Sequence, residues 1–337
     1  MDLIEATISA VEPTSEEWRA KARARIAQLT MPPRALGRLL DLAEQVVAIK
    51  RTLRPSLAHK LVIVMAADHG VAEEGVSAFP QEVTGQMVRN FVAGGAGINV
   101  LARAVGARVV VVDMGVKADL SDLAEQGKIL SRSLGPGTAN LARGPAMTRE
   151  QARQALRAGI EVVLQEQERG LDLLGAGDMG IANTTPSSAI AAALTGSAPE
   201  EVVGRALEVN QSDAGDPLYV LAKVGGFEIG GIAGMMLGAA SLRIPVLVDG
   251  FISAASALVA AKLCPVVCEY LIGSHNSVEP GHQVLMRALG LRPLLDLGFR
   301  LGEGTGAAVA MHLVESSVRI LTEMATFGDA GVSGKCT

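Results

Sequence analysis

Leu61-Val62-Ile63-Val64-Met65 runs directly into Ala66-Ala67-Asp68-His69-Gly70. Five consecutive apolar side chains, three of them branched at Cβ, suit a strand buried on both faces, and the small and polar residues that follow mark its end. The pattern recurs. Val109 to Val112 leads to Asp113-Met114-Gly115, and Leu171 to Leu174 leads to Gly175-Ala176-Gly177-Asp178-Met179-Gly180. Pro245 to Val248 leads to Asp249-Gly250-Phe251, and Pro265 to Val267 stands shortly before Gly273-Ser274-His275-Asn276-Ser277. Longer helix-like segments separate these runs. The alternation predicts an α/β protein: a doubly wound, mainly parallel sheet with helices on both faces. Ligands of such sheets bind beyond the carboxyl ends of the strands, so the five polar segments are expected to line one crevice.

Composition agrees. The chain has 337 residues, 49% of them hydrophobic and only 3% aromatic, with 38 glycines. Its core must therefore come from aliphatic side chains and close backbone approach. A formal net charge of -5, without a Lys/Arg block, argues against nucleic acid as a partner. No basic-then-apolar leader and no membrane-length apolar run is present, which predicts a cytoplasmic protein. Cys264, Cys268 and Cys336 have neither disulfide nor metal-site spacing and read as core or surface thiols. Residues 15 to 50 carry apolar side chains at helical spacing around Pro32-Pro33, which predicts two helices and a break.

Several motifs bear on chemistry. Glu303 lies among glycines in Gly302-Glu303-Gly304-Thr305-Gly306, a carboxylate where backbone can approach a ligand and a proton can be taken. An acid near a helix start is also common without function. Gly175 to Gly180 satisfies G-x-G-x-x-G, yet Asp178 would occupy the place of a pyrophosphate and no strand ending in an acid follows, Glu200-Glu201 preceding only Val202-Val203-Gly204. A loop cradling a sugar or a positively charged ring fits better. Asn183, Thr184 and Thr185 suit either a helix cap or a ligand. Asp68-His69 fits a catalytic pair, two metal ligands without a His/Cys cluster nearby to complete a site, or a shaped loop, Phe79 and Met87 a wall for a flat aryl group or plain core, and Lys223 an anion contact or a solvated charge.

Together these segments resemble nicotinate-nucleotide-dimethylbenzimidazole phosphoribosyltransferases over most of the chain. The likeness is carried by Asp68-His69-Gly70-Val71, Pro80-Gln81-Glu82-Val83-Thr84, Gly144-Pro145-Ala146-Met147, Gly177 to Pro186, Lys223 to Glu228, Val248-Asp249-Gly250-Phe251 and Arg300 to Gly306. The resemblance implies transfer of 5-phosphoribosyl from nicotinate mononucleotide to 5,6-dimethylbenzimidazole, giving α-ribazole 5'-phosphate and nicotinate for the lower ligand of cobalamin. It implies a homodimer, no cofactor and no metal. It also implies a catalytic domain over 31–305, with a small helical domain from 1–30 and 306–337. Matched motif by motif, Glu303 is the base. Asp68, His69, Phe79, Met87, Gly175, Gly177, Asp178, Gly180, Asn183, Thr184, Lys223, Asp249, Ser274 and Gly302 are the substrate-binding residues.

The chain departs from the family in places. Relatives usually read Lys-Pro-Pro-Gly-Ser-Leu-Gly where it has Met31-Pro32-Pro33-Arg34-Ala35-Leu36-Gly37. Asp178 replaces the usual Glu. Phe79 stands where Tyr or Ser is common, which leaves the acceptor base open. After Gly204 the family continues with a G-x-G-type loop and a basic helix that supply phosphate contacts, but Arg205 follows here at once. Either part of the phosphate site is lost, or a mobile phosphate loop is not represented in the 337 residues. The rival readings are a relative acting on another benzimidazole, a purine or a phenol, a nicotinamide-dependent dehydrogenase suggested only by the glycine pattern, and a non-catalytic nucleotide-binding protein.

Overall fold

The computed structural model describes residues 2–198, 201–211 and 213–333; Cys336 and Glu200 lie outside them. Six strands form one sheet: β1 (Lys60–Ala67), β2 (Ala107–Gly115), β3 (Leu130–Ser131), β4 (Leu173–Met179), β5 (Val246–Val248) and β6 (Leu271–Gly273). Their order is β3-β2-β1-β4-β5-β6, and every neighbouring pair is parallel. All eight residues of β1 are buried, as its unbroken apolar run requires. The doubly wound α/β reading holds.

Strand order reverses between β1 and β4, where the crevice of such a sheet opens. Register sets Met65 of β1 beside Asp178 and Val64 beside Gly177.

Three boundaries differ from the sequence reading. Gly175 to Met179 is the body of β4 and not a loop after it, so the G-x-G-x-x-G pattern lies in a strand and has no phosphate-cradling geometry. Pro265 to Val267 begins a 3-10 helix, Pro265–Tyr270, and the strand is Leu271–Gly273. A proline at the first position favours that helical start. β3, two residues long, gave no detectable pattern.

Helices cover both faces. On one side Arg149–Gln167, Thr184–Thr195, Phe227–Ser241 and Phe251–Leu263 share an aliphatic core with β1 and β4. On the other, Arg38–Lys50, Val83–Ala93, Gly97–Ala104 and Thr305–Glu323 pack over Val62, Val64 and Leu247. A smaller cluster joins Ala22, Ile26, Leu29, Leu40 and Val47 to Leu321, with Trp18 half-buried against it and the Lys21 ammonium 4.0 Å from the Trp18 ring centre. Among the described residues no helix is long and apolar enough to cross a membrane.

Phe227–Ser241 is buried along nearly its whole length and crosses Arg149–Gln167 at backbone contact. A Cβ on Gly234 would overlap the Leu156 carbonyl oxygen, and one on Gly159 the Gly231 carbonyl oxygen. Alanine at 234 gains about 1 kcal/mol in helix propensity, but its methyl meets backbone that cannot yield, a form of overpacking that costs roughly 1–3 kcal/mol or more. The second effect wins. Gly234→Ala is therefore expected to lower the urea midpoint at unchanged slope, corresponding to a loss of about 1 kcal/mol or more of stability. Gly144→Ala, whose methyl enters open space, is expected to match the parent; equal midpoints for all three proteins would refute the crossing.

Candidate active site

Glu303 closes a turn in which Gly302, Glu303 and Gly304 have φ of 77°, 62° and 87°. Glycine adopts this left-handed conformation freely, whereas glutamate pays of order 1 kcal/mol or more. The strain is held from two sides. Asp249, just past β5, accepts from Gly304 N at 3.2 Å and from Ala307 N at 2.7 Å, so its carboxylate caps the helix Thr305–Glu323. Asp178 O accepts from Glu303 N at 3.3 Å. Gly177 lets β4 approach: a Cβ there would stand 2.5 Å from Glu303 O.

Glu303 is 4% exposed. Its Oε2 accepts from Ile98 N at 3.0 Å, in the first turn of the helix Gly97–Ala104. Oε1 has no partner among the described residues and is not sealed from solvent. Burial raises this carboxyl above its ordinary value, opposed by the Ile98 N–H. A carboxylate with one oxygen fixed, one free and an enhanced proton affinity is suited to general-base work.

Asp178 lies beneath the turn. Its Oδ2 accepts from Asn183 Nδ2 at 3.0 Å, while Oδ1 is buried without a partner. Burial pushes its carboxyl up to about 7, Asn183 working against the shift and the neighbouring Glu228 and Glu303 charges adding to it. Asp249 is pushed by burial up to about 8, against the pull of the N–H groups it accepts from.

The other expected site residues fall into distinct places. Thr184 is exposed on the crevice wall with Asn183, Asp178 and Gly302. His69 and Glu228 form a fully buried pair, Nε2 to Oε1 at 2.8 Å, directly behind Gly180. Asp68 Oδ2 accepts from Lys117 N at 2.8 Å, and burial raises its carboxyl. Both oxygens of Asp249 serve the helix cap, and Ser274 Oγ donates to Val248 O at 2.7 Å, bonds that join strand ends. Gly175 packs under Ala307 and Met311. Phe79 is 66% exposed on the approach to Val83–Ala93, and Met87 is half-buried on that helix; neither is among the crevice walls. Lys223 lines a separate cavity of about 650 Å³ with Met147, Tyr219 and Phe227. It does not share the crevice with Asp178 and Thr184.

Residues that the sequence reading did not assign complete the crevice: Gly250, Phe251, Ile252, His275, Ser277, Glu279, Arg300 and Leu301. Most follow β5 or β6, so their signal was the strand-end pattern itself. Arg300 had only its closeness to Glu303 in sequence. His275 Nε2 is 3.9 Å from Asp249 Oδ1, but burial lowers the imidazole below its ordinary value, so the contact is that of a neutral ring and not an ion pair.

The junction at Gly204-Arg205 is the middle of one continuous helix, Glu201–Asn210. Arg205 pairs with Glu74 at 2.7 Å, and Arg143 pairs with the same carboxylate at 3.1 Å.

A family model described as "Phosphoribosyltransferase" matches residues 11–332. A nicotinate-nucleotide–dimethylbenzimidazole phosphoribosyltransferase of Syntrophotalea carbinolica is 54% identical, with 99% of each chain covered. One of the same name from a Roseiflexus species is 53% identical with the same coverage. The alignment with the first runs over 351 positions, more than the 337 residues of this chain, so that relative carries residues missing here. The crystal structure of the Thermus thermophilus enzyme of this name superposes with a TM-score of 0.91 at 48% identity, covering 95% of this chain and 100% of that one. With a family model matching nearly the whole chain, full-length relatives more than half identical and a solved structure of the same fold, the protein belongs to the nicotinate-nucleotide–dimethylbenzimidazole phosphoribosyltransferase family.

Proposed function

We infer that the protein transfers the 5-phosphoribosyl group of nicotinate mononucleotide to 5,6-dimethylbenzimidazole, giving α-ribazole 5'-phosphate and nicotinate in assembly of the cobalamin lower ligand. The observation that carries the reading is Glu303: buried, fixed through Oε2, without a partner for Oε1 among the described residues, and next in the chain to Gly302 on the crevice wall at the carboxyl edge of the sheet. The full-length relatives bearing that name support it.

The chemistry asks little of the protein. The ring nitrogen of nicotinate leaves C1' with the electron pair of the broken bond as a neutral pyridine and needs no acid. A benzimidazole nitrogen forms the new bond to C1', and the N–H proton passes to Glu303 Oε1. Asp178, whose carboxyl stands at about 7, holds a proton for part of the time at neutral pH and so adds less negative charge beside the base. His69 and Glu228 keep the Asp178–Asn183 backbone in place from behind. Exposed Phe79, at a position usually polar in relatives, favours a second reading in which the acceptor is another flat aromatic base.

The family resemblance supports the homodimer. The cluster of Ala22, Ile26 and Leu29 with Leu321 supports a helical unit built from 1–30 with 306–337.

Glu303→Gln keeps the shape and loses the proton acceptor. Turnover measured as ribazole phosphate by mass is expected to fall about 100-fold or more, with binding of nicotinate mononucleotide retained; near-parental turnover would overturn the assignment. The pH dependence follows from the same group. A base works only when deprotonated, so kcat/KM should fall as pH drops through the raised Glu303 value, with a midpoint above the ordinary 4.5. An acid limb at or below the ordinary value, or one unchanged in Glu303→Gln, would count against this base.

A further inference from the structure

We propose that Arg300 is the phosphate anchor of the crevice and that it sets the preference for a nucleotide over the corresponding nucleoside. The inference rests on the function given above and adds a residue to it. A 5'-phosphate brings up to two negative charges into a crevice walled by the acidic residues Asp178 and Glu279. Like charges repel, so the phosphate must lie toward a cation on the rim. Among the described residues that wall the crevice, Arg300 is the only one that carries a positive charge at neutral pH, because burial keeps His275 neutral.

The other basic candidates are engaged or lie elsewhere. Lys223 belongs to the separate cavity. Arg143 and Arg205 share Glu74. Arg300 is exposed and forms no ion pair among the described residues, not even with Glu279 on the same wall. A guanidinium presents a planar fork that matches two phosphate oxygens. Hydroxyls stand on the same wall: exposed Thr184, and Ser277, whose Oγ accepts from Glu279 N at 3.4 Å and keeps its own proton to donate.

Position along the chain gives the anchor a second effect. Arg300 precedes Glu303 by one short turn whose conformation is set by left-handed Gly302, Glu303 and Gly304 and by the Asp249 cap. Holding the phosphate and aiming the base are then tasks of a single rigid loop. This also suits a chain that is shorter than its relatives: the crevice retains a cation that does not depend on the segment around Gly204.

The test is calorimetric titration of the full chain with nicotinate mononucleotide and with nicotinate riboside, for the parent, Arg300→Gln, Arg300→Lys and Arg143→Gln, each checked for folding by circular dichroism. The parent is expected to bind the nucleotide more tightly than the riboside, and added salt should erode that difference. Arg300→Gln should weaken the nucleotide about 10- to 100-fold while leaving the riboside within about twofold, Arg300→Lys should restore part of the gap, and Arg143→Gln should behave as parent. Equal losses for both ligands, a nucleotide gap that survives in Arg300→Gln, or a parent that does not distinguish the ligands would overturn the anchor. These titrations need no turnover. Failure of the parent to make ribazole phosphate would instead strike at the transfer reaction and leave the binding result readable.

Discussion

A buried carboxylate holding two backbone N–H groups organises this site. Asp249 emerges from a three-residue strand, is fully buried, and spends both oxygens on Gly304 and Ala307 at the start of the helix Thr305–Glu323. A carboxyl group at a helix N-terminus can accept from the N–H groups left unpaired there, whether or not it is ionised. Here that common interaction acts as a clamp. It balances the conformational cost of a glutamate at positive φ and fixes the direction in which Glu303 points. Removing the Asp249 bonds would leave the turn with glycine on either side and little reason to keep one geometry.

The sheet supplies the second constraint. The strand order is that of doubly wound dinucleotide-binding folds, yet the turn after β1 is Asp68-His69-Gly70 and no glycine-rich phosphate loop follows it. The place a pyrophosphate would take is built differently. His69 turns inward to Glu228, Asp68 bonds to Lys117 N, and β4 ends in Asp178 and Met179. The switch point thus carries acids and a buried imidazole, which suits a reaction needing a proton acceptor more than one needing a dinucleotide cradle. An aliphatic, glycine-rich core makes this possible, since backbones rather than large side chains meet at the helix crossing behind it.

What could be read in the sequence follows from local physics. β1, β2 and β5 were legible as unbroken apolar runs, because a strand covered on both faces needs no alternation. β4 was legible only at its start, Leu173 and Leu174, since Gly175, Gly177 and Asp178 look like loop residues and owe their place in the strand to the helix Thr305–Glu323 packed over them. β6 was misplaced because Pro265 to Val267 is as apolar as the true strand, and only tertiary pairing with β5 distinguishes Leu271–Gly273. In the site, Glu303 was visible through its glycines. The work of Asp249 and Ser274 in tying strand ends, and the seclusion of His69, depend on partners dozens to more than a hundred residues away. Arg300 has no local signature at all, being an ordinary loop arginine until the fold sets it on the crevice wall.

The aromatic poverty of the chain has a consequence for optical measurements. Its one tryptophan, Trp18, sits on the helix Glu16–Ile26, under the Lys21 ammonium and against the small cluster with Leu321, far along the chain from the sheet. Intrinsic emission therefore reports the wetting of that outer helical layer and says nothing directly about the strands or the base turn. A spectral shift that precedes the loss of ellipticity would mark detachment of this layer from a sheet that is still standing, and a titration followed by emission alone would assign that lower stability to the whole molecule.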